Sequence, residues 1–289
     1  MYVFVHIEKC GGSTLNYQLR RIFGLDHCDI IPRDKNSMKI SESDLDDLFK
    51  LRPSVHSITG HSIRPCLDLG KYNDQFKYYC LFRNPIHRYI SAFKHFVTSY
   101  HFPNDIDEWL KFDDQKNFQT KAIAGVSDIE AAKHILDDKI VLVGLMEEYN
   151  DFLVDINRLI PSFRYEEDYQ IRNIATTRKG YIPVKVDIDK YHDKLCANNQ
   201  LDIELYEYSK TVVIPKLRKS LVSNTPISAG ILPDTPMRKF ESNFNYKINL
   251  LYRNFIYKPY MGYTPFRQHR LPDYQKVSDD YLAMNKKNM

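Results

Sequence analysis

The chain has 289 residues, 43% of them apolar and 13% aromatic, which is ample for a buried core and excludes a disordered chain. Forty-one Lys and Arg against 37 Asp and Glu give a formal net charge of +4, too small for a general nucleic-acid or membrane-surface binder, so any anion site must be local. The cysteines, Cys10, Cys28, Cys66, Cys80 and Cys196, are scattered without CxxC pairs or histidines at zinc-ligand spacing; they read as reduced thiols, and no metal is expected.

In chain order, Tyr2 to Ile7 (YVFVHI) reads as a buried strand that ends in the glycine-containing turn Glu8 to Ser13. A helix follows, capped by Ser13 or Thr14, with Leu15, Leu19, Ile22 and Phe23 on one face and Gly24 closing it in the left-handed conformation. Val55 to Thr59 is a weaker strand ending at Gly60-His61, and Lys77 to Phe82 (KYYCLF) a stronger one. Asn84 then caps and Pro85 opens a helix whose apolar stripe is Ile86, Ile90, Phe93 and Val97, while His87, Ser91 and His95 recur on another face.

Residues 105–137 read as short helices, Lys139 to Gly144 as another buried strand, and Glu147 to Leu159 as an amphipathic helix ended by Pro161. Asp187 to about Leu217 reads as helix in two pieces broken near Asn198-Asn199. Strands alternating with helices predict a three-layer α/β/α fold with a central, mainly parallel sheet. After Leu221 the composition turns to Pro, Tyr, Phe, Lys and Arg, so 1–221 is expected to be the catalytic domain and 222–289 an appended basic and aromatic arm, helical only around Phe240 to Tyr257. No apolar run has the length of a membrane span and the N-terminus lacks a signal-peptide layout.

The loop His6-Ile7-Glu8-Lys9-Cys10-Gly11-Gly12-Ser13-Thr14 joins the first strand to the first helix. Glycines there let backbone N–H groups approach an anion, and the helix N-terminus favours negative charge. The nucleoside-triphosphate P-loop needs lysine after its second glycine; Lys9 precedes both, which disfavours ordinary kinase or GTPase chemistry.

HIEKCGGSTL resembles the 5′-phosphosulfate loop of carbohydrate O-sulfotransferases that use 3′-phosphoadenylyl sulfate (PAPS), especially the heparan sulfate 6-O-sulfotransferase group. LFRNPIHRYISAFKH (81–95) resembles the family's 3′-phosphate element. NFQTKAIAG (117–125), VGLMEEYNDFL (143–153), TTRKGY (176–181) and NNQLDIELYEYSK (198–210) are similar, in order, to further segments, so the likeness spans roughly residues 1–220. It implies a P-loop-like sulfotransferase fold, PAPS as donor, adenosine 3′,5′-bisphosphate as product, and a glycan or glycoside hydroxyl as acceptor.

Residue by residue, the resemblance makes Lys9 the group that stabilises the leaving phosphate and His61, in ITGHSI, the general base, with Glu8 as the fallback base. Cys10, Gly11, Gly12, Ser13 and Thr14 line the donor loop, Arg83 and Ser91 hold the 3′-phosphate, Arg178 and Lys179 close over the nucleotide, and His95 contacts the acceptor. The bland alternatives are a solvated Lys9, a loop-bonded His61, a capping salt bridge at Arg83 and a surface His95. Relatives in the Golgi carry an anchor that this chain lacks, so a cytoplasmic enzyme is expected unless the chain is an excised domain; homo-oligomerisation through the arm is the other expectation. The competing functions are a nucleotide-dependent phosphotransferase and a non-catalytic glycan-binding protein.

Overall fold

A computed structural model describes residues 1–160, 162–163, 182–224 and 239–264. Among them, β1 (Tyr2–Val5), β2 (His27–Asp29), β3 (Ser57–Gly60), β4 (Lys77–Phe82) and β5 (Ile140–Leu145) form one sheet in the order β2-β3-β1-β4-β5, every pair parallel. The α-helices among the described residues are α1 (Gly12–Phe23), α2 (Glu42–Leu51), α3 (Pro85–Tyr100), α4 (Ile106–Leu110), α5 (Phe118–Ala124), α6 (Ile129–Asp138), α7 (Tyr149–Leu159), α8 (Ile188–Asn198), α9 (Gln200–Tyr208), α10 (Ile214–Asn224), α11 (Lys239–Tyr252) and the single turn α12 (Lys258–Tyr260).

Side-chain alternation sorts the core into layers. Phe4, Tyr79, Leu81 and Leu142 pack with Leu15, Leu19 and Ile22 of α1 and Phe152 and Ile156 of α7. Val3, Val5, Tyr78, Cys80 and Phe82 point the other way, onto Leu45 and Leu48 of α2, Ile123 of α5, Leu136 of α6 and Leu205 of α9. Both faces are covered, which is why β4 reads as a continuous apolar run rather than an alternating one. The expected α/β/α layering is therefore present. No helix among the described residues is long and apolar enough to cross a membrane.

The elements differ from expectation in instructive places. β1 stops at Val5 because Ile7 N–H turns back onto Val5 O at 3.0 Å. Gly24 closes α1 with φ 51° and ψ −119°, a positive-φ conformation other than the left-handed helical one. β2 was not read from the sequence; its His27 ring is buried between Ser57 Oγ and Asn16 Oδ1, each 2.9 Å away. Nor was α2, although Ser41 and Asp44 form a complete capping box at its start. The helical run from 188 breaks at Asn198-Asn199 as expected, then passes through a π-helical turn, Ser209–Val213, into α10.

Over residues 239–264 the expected arm is instead part of the fold. Asn249 Nδ2 donates to Gly24 O at 2.6 Å and His27 O at 2.7 Å, so α11 closes the exit of α1 and the entry of β2. Arg253 lies 2.9 Å from Asp29, and Tyr257 and Met261 are fully buried in the α2-side core. Truncating a core methionine leaves a cavity, so Met261→Ala should cost about 2–5 kcal/mol in urea denaturation; a change below about 0.5 kcal/mol would mean an undocked arm.

Candidate active site

In this strand order β1 and β4 are neighbours whose onward connections leave in opposite directions, toward β2 and β5 respectively. Such a switch point opens a crevice beyond the carboxyl ends of the strands. The segments that enter it are the loop after β1, His6 to Gly11, and Arg83-Asn84 after β4.

The loop after β1 is tightly folded. Cys10 N–H donates to Ile7 O at 3.4 Å, Lys9 takes the left-handed backbone at φ 68°, and Gly11, at φ 81°, is the N-cap of α1. No side chain caps this helix, so Ser13 and Thr14 are not the caps the sequence predicts but lie inside the first turn. Sterics explain both glycines: a Cβ on Gly11 would fall 2.4 Å from Met146 Sδ, and one on Gly12 2.1 Å from His6 Cδ2. The left-handed backbone favours glycine at 11 and the His6 ring leaves no room at 12, whatever the loop binds.

Arg83 is joined to that loop. Its guanidinium donates to Lys9 O at 3.1 Å, its backbone N–H donates to Gln119 Oε1 at 2.9 Å, and Gln119 Nε2 returns a bond to Arg83 O at 2.9 Å. The Cys10 thiol donates to the same Gln119 oxygen at 3.3 Å. Burial pushes the Cys10 thiol up to about 12, against the pull of Arg88 and Arg83, so it is an inert packing group. Arg88 is fully buried, stacks 3.9 Å over the Phe118 ring, and donates to Glu8 O at 3.3 Å and Gln115 Oε1 at 2.7 Å.

Asn84 caps α3 as expected, accepting from His87 N–H at 3.1 Å, with Pro85 in the first turn. Its own N–H donates to Glu147 Oε1 at 2.9 Å, and Tyr206 donates to the other oxygen at 3.1 Å. A carboxylate thus already neutralises the start of α3. Ser91 lies about 9 Å along α3 from Pro85 and His95 about 15 Å. His95 Nδ1 pairs with Ser99 Oγ at 3.0 Å, a full turn beyond Ser91. Arg178 and Lys179 lie outside the described residues.

His61 directly follows β3 and is exposed. The β1 and β3 ends clasp each other: His6 N–H donates to Gly60 O at 3.2 Å, and His61 Nδ1 lies 2.8 Å from His6 O. The two imidazoles stack with centroids 4.0 Å apart and planes 29° from parallel. Burial holds the His6 pKa well below its usual 6.5, with the charges at His61, Arg20 and Lys9 adding to the effect. Glu8, His61, Arg64 and Phe118 line a small cleft beside this pair.

Lys9, Cys10, Gly11, Gly12, Arg83 and His61 therefore converge at one crevice, with Ser13 and Thr14 on the adjoining helix turn. Sequence reasoning missed Gln119, Arg88, Glu147 and Asp202, which hold that arrangement. The buried Asp202 accepts from Gln119 N–H (3.0 Å), Thr120 N–H (2.7 Å) and the Thr120 hydroxyl (2.8 Å). Burial raises its pKa and these bonds oppose the rise. Asn117 N–H donates to Asn198 O at 3.1 Å, and Leu201 N–H to Asn117 Oδ1 at 3.0 Å. Two of the segments that carry the sequence resemblance, 117–125 and 198–210, are thus bonded to each other.

Comparison with known proteins gives no matching family model and no matching curated sequence. The likeness to sulfotransferases rests on the quoted segments.

A buried histidine ties stability to pH. His27 is fully buried, and burial holds it well below 6.5, with Arg20 and Arg52 adding; the half-buried His6 is lowered in the same direction. Unfolded, the His27 ring takes up a proton near pH 6.5, so below that pH the unfolded state binds more protons than the folded one. Its contribution is complete above pH 6.5 and is lost as pH falls. Urea denaturation between pH 8 and 5 should show stability dropping toward about 1.4 kcal/mol per pH unit for this ring once below 6.5; a flat profile would contradict a neutral, buried His27.

Proposed function

We propose that this protein is a PAPS-dependent O-sulfotransferase that moves a sulfuryl group to a carbohydrate hydroxyl. The observation that carries the reading is the convergence, at the β1/β4 switch point, of the Lys9 loop, Arg83 bonded to that loop, and His61 bonded to the same loop from the other side. The motif resemblance supplies PAPS as the donor and a sugar as the acceptor.

Sulfuryl transfer is an in-line displacement at sulfur, which needs a deprotonated acceptor, charge stabilisation on the leaving phosphate, and firm positioning. Lys9 and the uncapped N-terminus of α1 suit the phosphate, since ammonium and backbone N–H groups all stabilise developing negative charge there. Arg83 gives one donor to Lys9 O, and its planar fork suits a second phosphate beside the loop. Ser91 is assigned to that phosphate, Arg178 and Lys179 to the nucleotide, and His95 to the acceptor.

His61 suits the base for a geometric reason. A carbonyl oxygen only accepts, so the contact with His6 O requires the proton on Nδ1 and leaves the Nε2 lone pair to take a proton from the acceptor. Lys9, after the neighbouring parallel strand, is then assigned to the leaving group and His61 to the attacking one.

Calorimetric titration tests the donor site. Adenosine 3′,5′-bisphosphate should bind in preference to ADP and 5′-AMP, and Arg83→Ala should weaken it about 10- to 100-fold. No preference over ADP would overturn the assignment in favour of a phosphotransferase. His61→Ala should reduce sulfuryl transfer about 10²- to 10⁴-fold while bisphosphate affinity stays near wild type; loss of both would give His61 a purely structural part.

A further inference from the structure

His6, the first residue after β1, does more than fill space. On one side its ring lies against Gly12, where there is no room for a Cβ. On another it stacks on His61, and behind it sits Phe4, at 5.8 Å between centroids. Its own carbonyl receives the His61 Nδ1 bond. One residue therefore touches His61 twice, at the ring edge through the main chain and at the ring face through the side chain, while also touching the first turn of α1.

The two contacts restrict different motions. A lone hydrogen bond at Nδ1 lets an exposed imidazole swing about the bond, and a flat ring packed on its face removes that swing. We infer that His6 is a positioning residue for His61: its carbonyl selects the Nδ1–H tautomer, and its ring, wedged between Gly12 and His61, keeps the base in fixed register with the α1 N-terminus. This rests on the assignment of His61 as the base and deepens it. Support of this kind by a neighbouring shell governs how exactly a reactive group is held.

The ring must also be neutral to do this. His61 becomes an imidazolium once it has taken a proton, and Lys9 and Arg20 already bear on His6; a second imidazolium 4.0 Å away would push the base out of place. What the role needs is therefore a flat, uncharged ring. Phenylalanine meets that need, and alanine does not.

The test is a ¹⁵N-detected histidine spectrum of the full-length protein without substrate, read beside turnover. In wild type and His6→Phe, His61 should carry its proton on Nδ1 with Nε2 bare; in His6→Ala it should become a mixture of tautomers. Turnover should fall about 10- to 100-fold in His6→Ala, with bisphosphate affinity unchanged, and His6→Phe should restore most of it. Gly12→Ala, which displaces the His6 ring without altering it, should give the same mixed tautomer and serves if His6→Ala does not fold. A wild-type His61 protonated on Nε2, an unchanged tautomer in His6→Ala, or equal damage from Phe and Ala would overturn the inference. If the wild type transfers no sulfuryl group, the spectra still decide whether His6 positions His61, and only the base assignment falls.

Discussion

A single buried carboxylate anchors the Arg83 side of the crevice. Asp202 takes the N–H groups of the second and third residues of α5 and so ties down the start of that helix. Gln119, the residue so placed, holds both ends of the turn after β4 and the thiol of Cys10. Arg83, held by Gln119, holds the carbonyl of Lys9. Desolvating a carboxylate is costly, but three donors and the helix N-terminus offset that cost. The result is a chain of directional bonds from α9 to the loop after β1, in which each member fixes the next.

Directional bonds matter here because apolar contacts alone do not fix the orientation of polar groups. Packing secures the sheet, and it places strand ends only as well as the loops beyond them are tied down. Arg88 does part of that work through Glu8 O and Gln115, and Glu147 does another part at Asn84 and Tyr206. None of these side chains needs a ligand to be where it is. A ligand bound at a crevice held by such bonds would spend little of its binding energy on ordering it.

What could be read from the sequence was whatever leaves a local mark. β4 is a continuous apolar run, Asn84-Pro85 is a start signal, and the Lys9 loop announces itself by its glycines. β2 has three residues, two of them polar, and is a strand only because β3 and Asn16 complete it. Gln119, Arg88 and Asp202 act through bonds to residues 27 to 109 positions away, which no window of sequence displays. α11 misleads outright: it turns Ser242 and Asn249 inward and leaves Phe240, Phe244 and Leu251 exposed, so its periodicity points to the wrong face. Of the candidate site, what lies in local motifs was legible, and Gln119, Arg88, Glu147 and Asp202, which join distant segments, were not.

The contact between His6 and Gly12 has an evolutionary consequence. Any side chain at position 12 needs the volume the His6 ring already fills, so neither residue can change without regard to the other. A larger residue at 12 either displaces the His6 ring or needs a smaller residue at 6, and in both cases His61 loses the ring beneath it. The two positions therefore drift as one, and a descendant that gives up the glycine gives up the stacked pair with it.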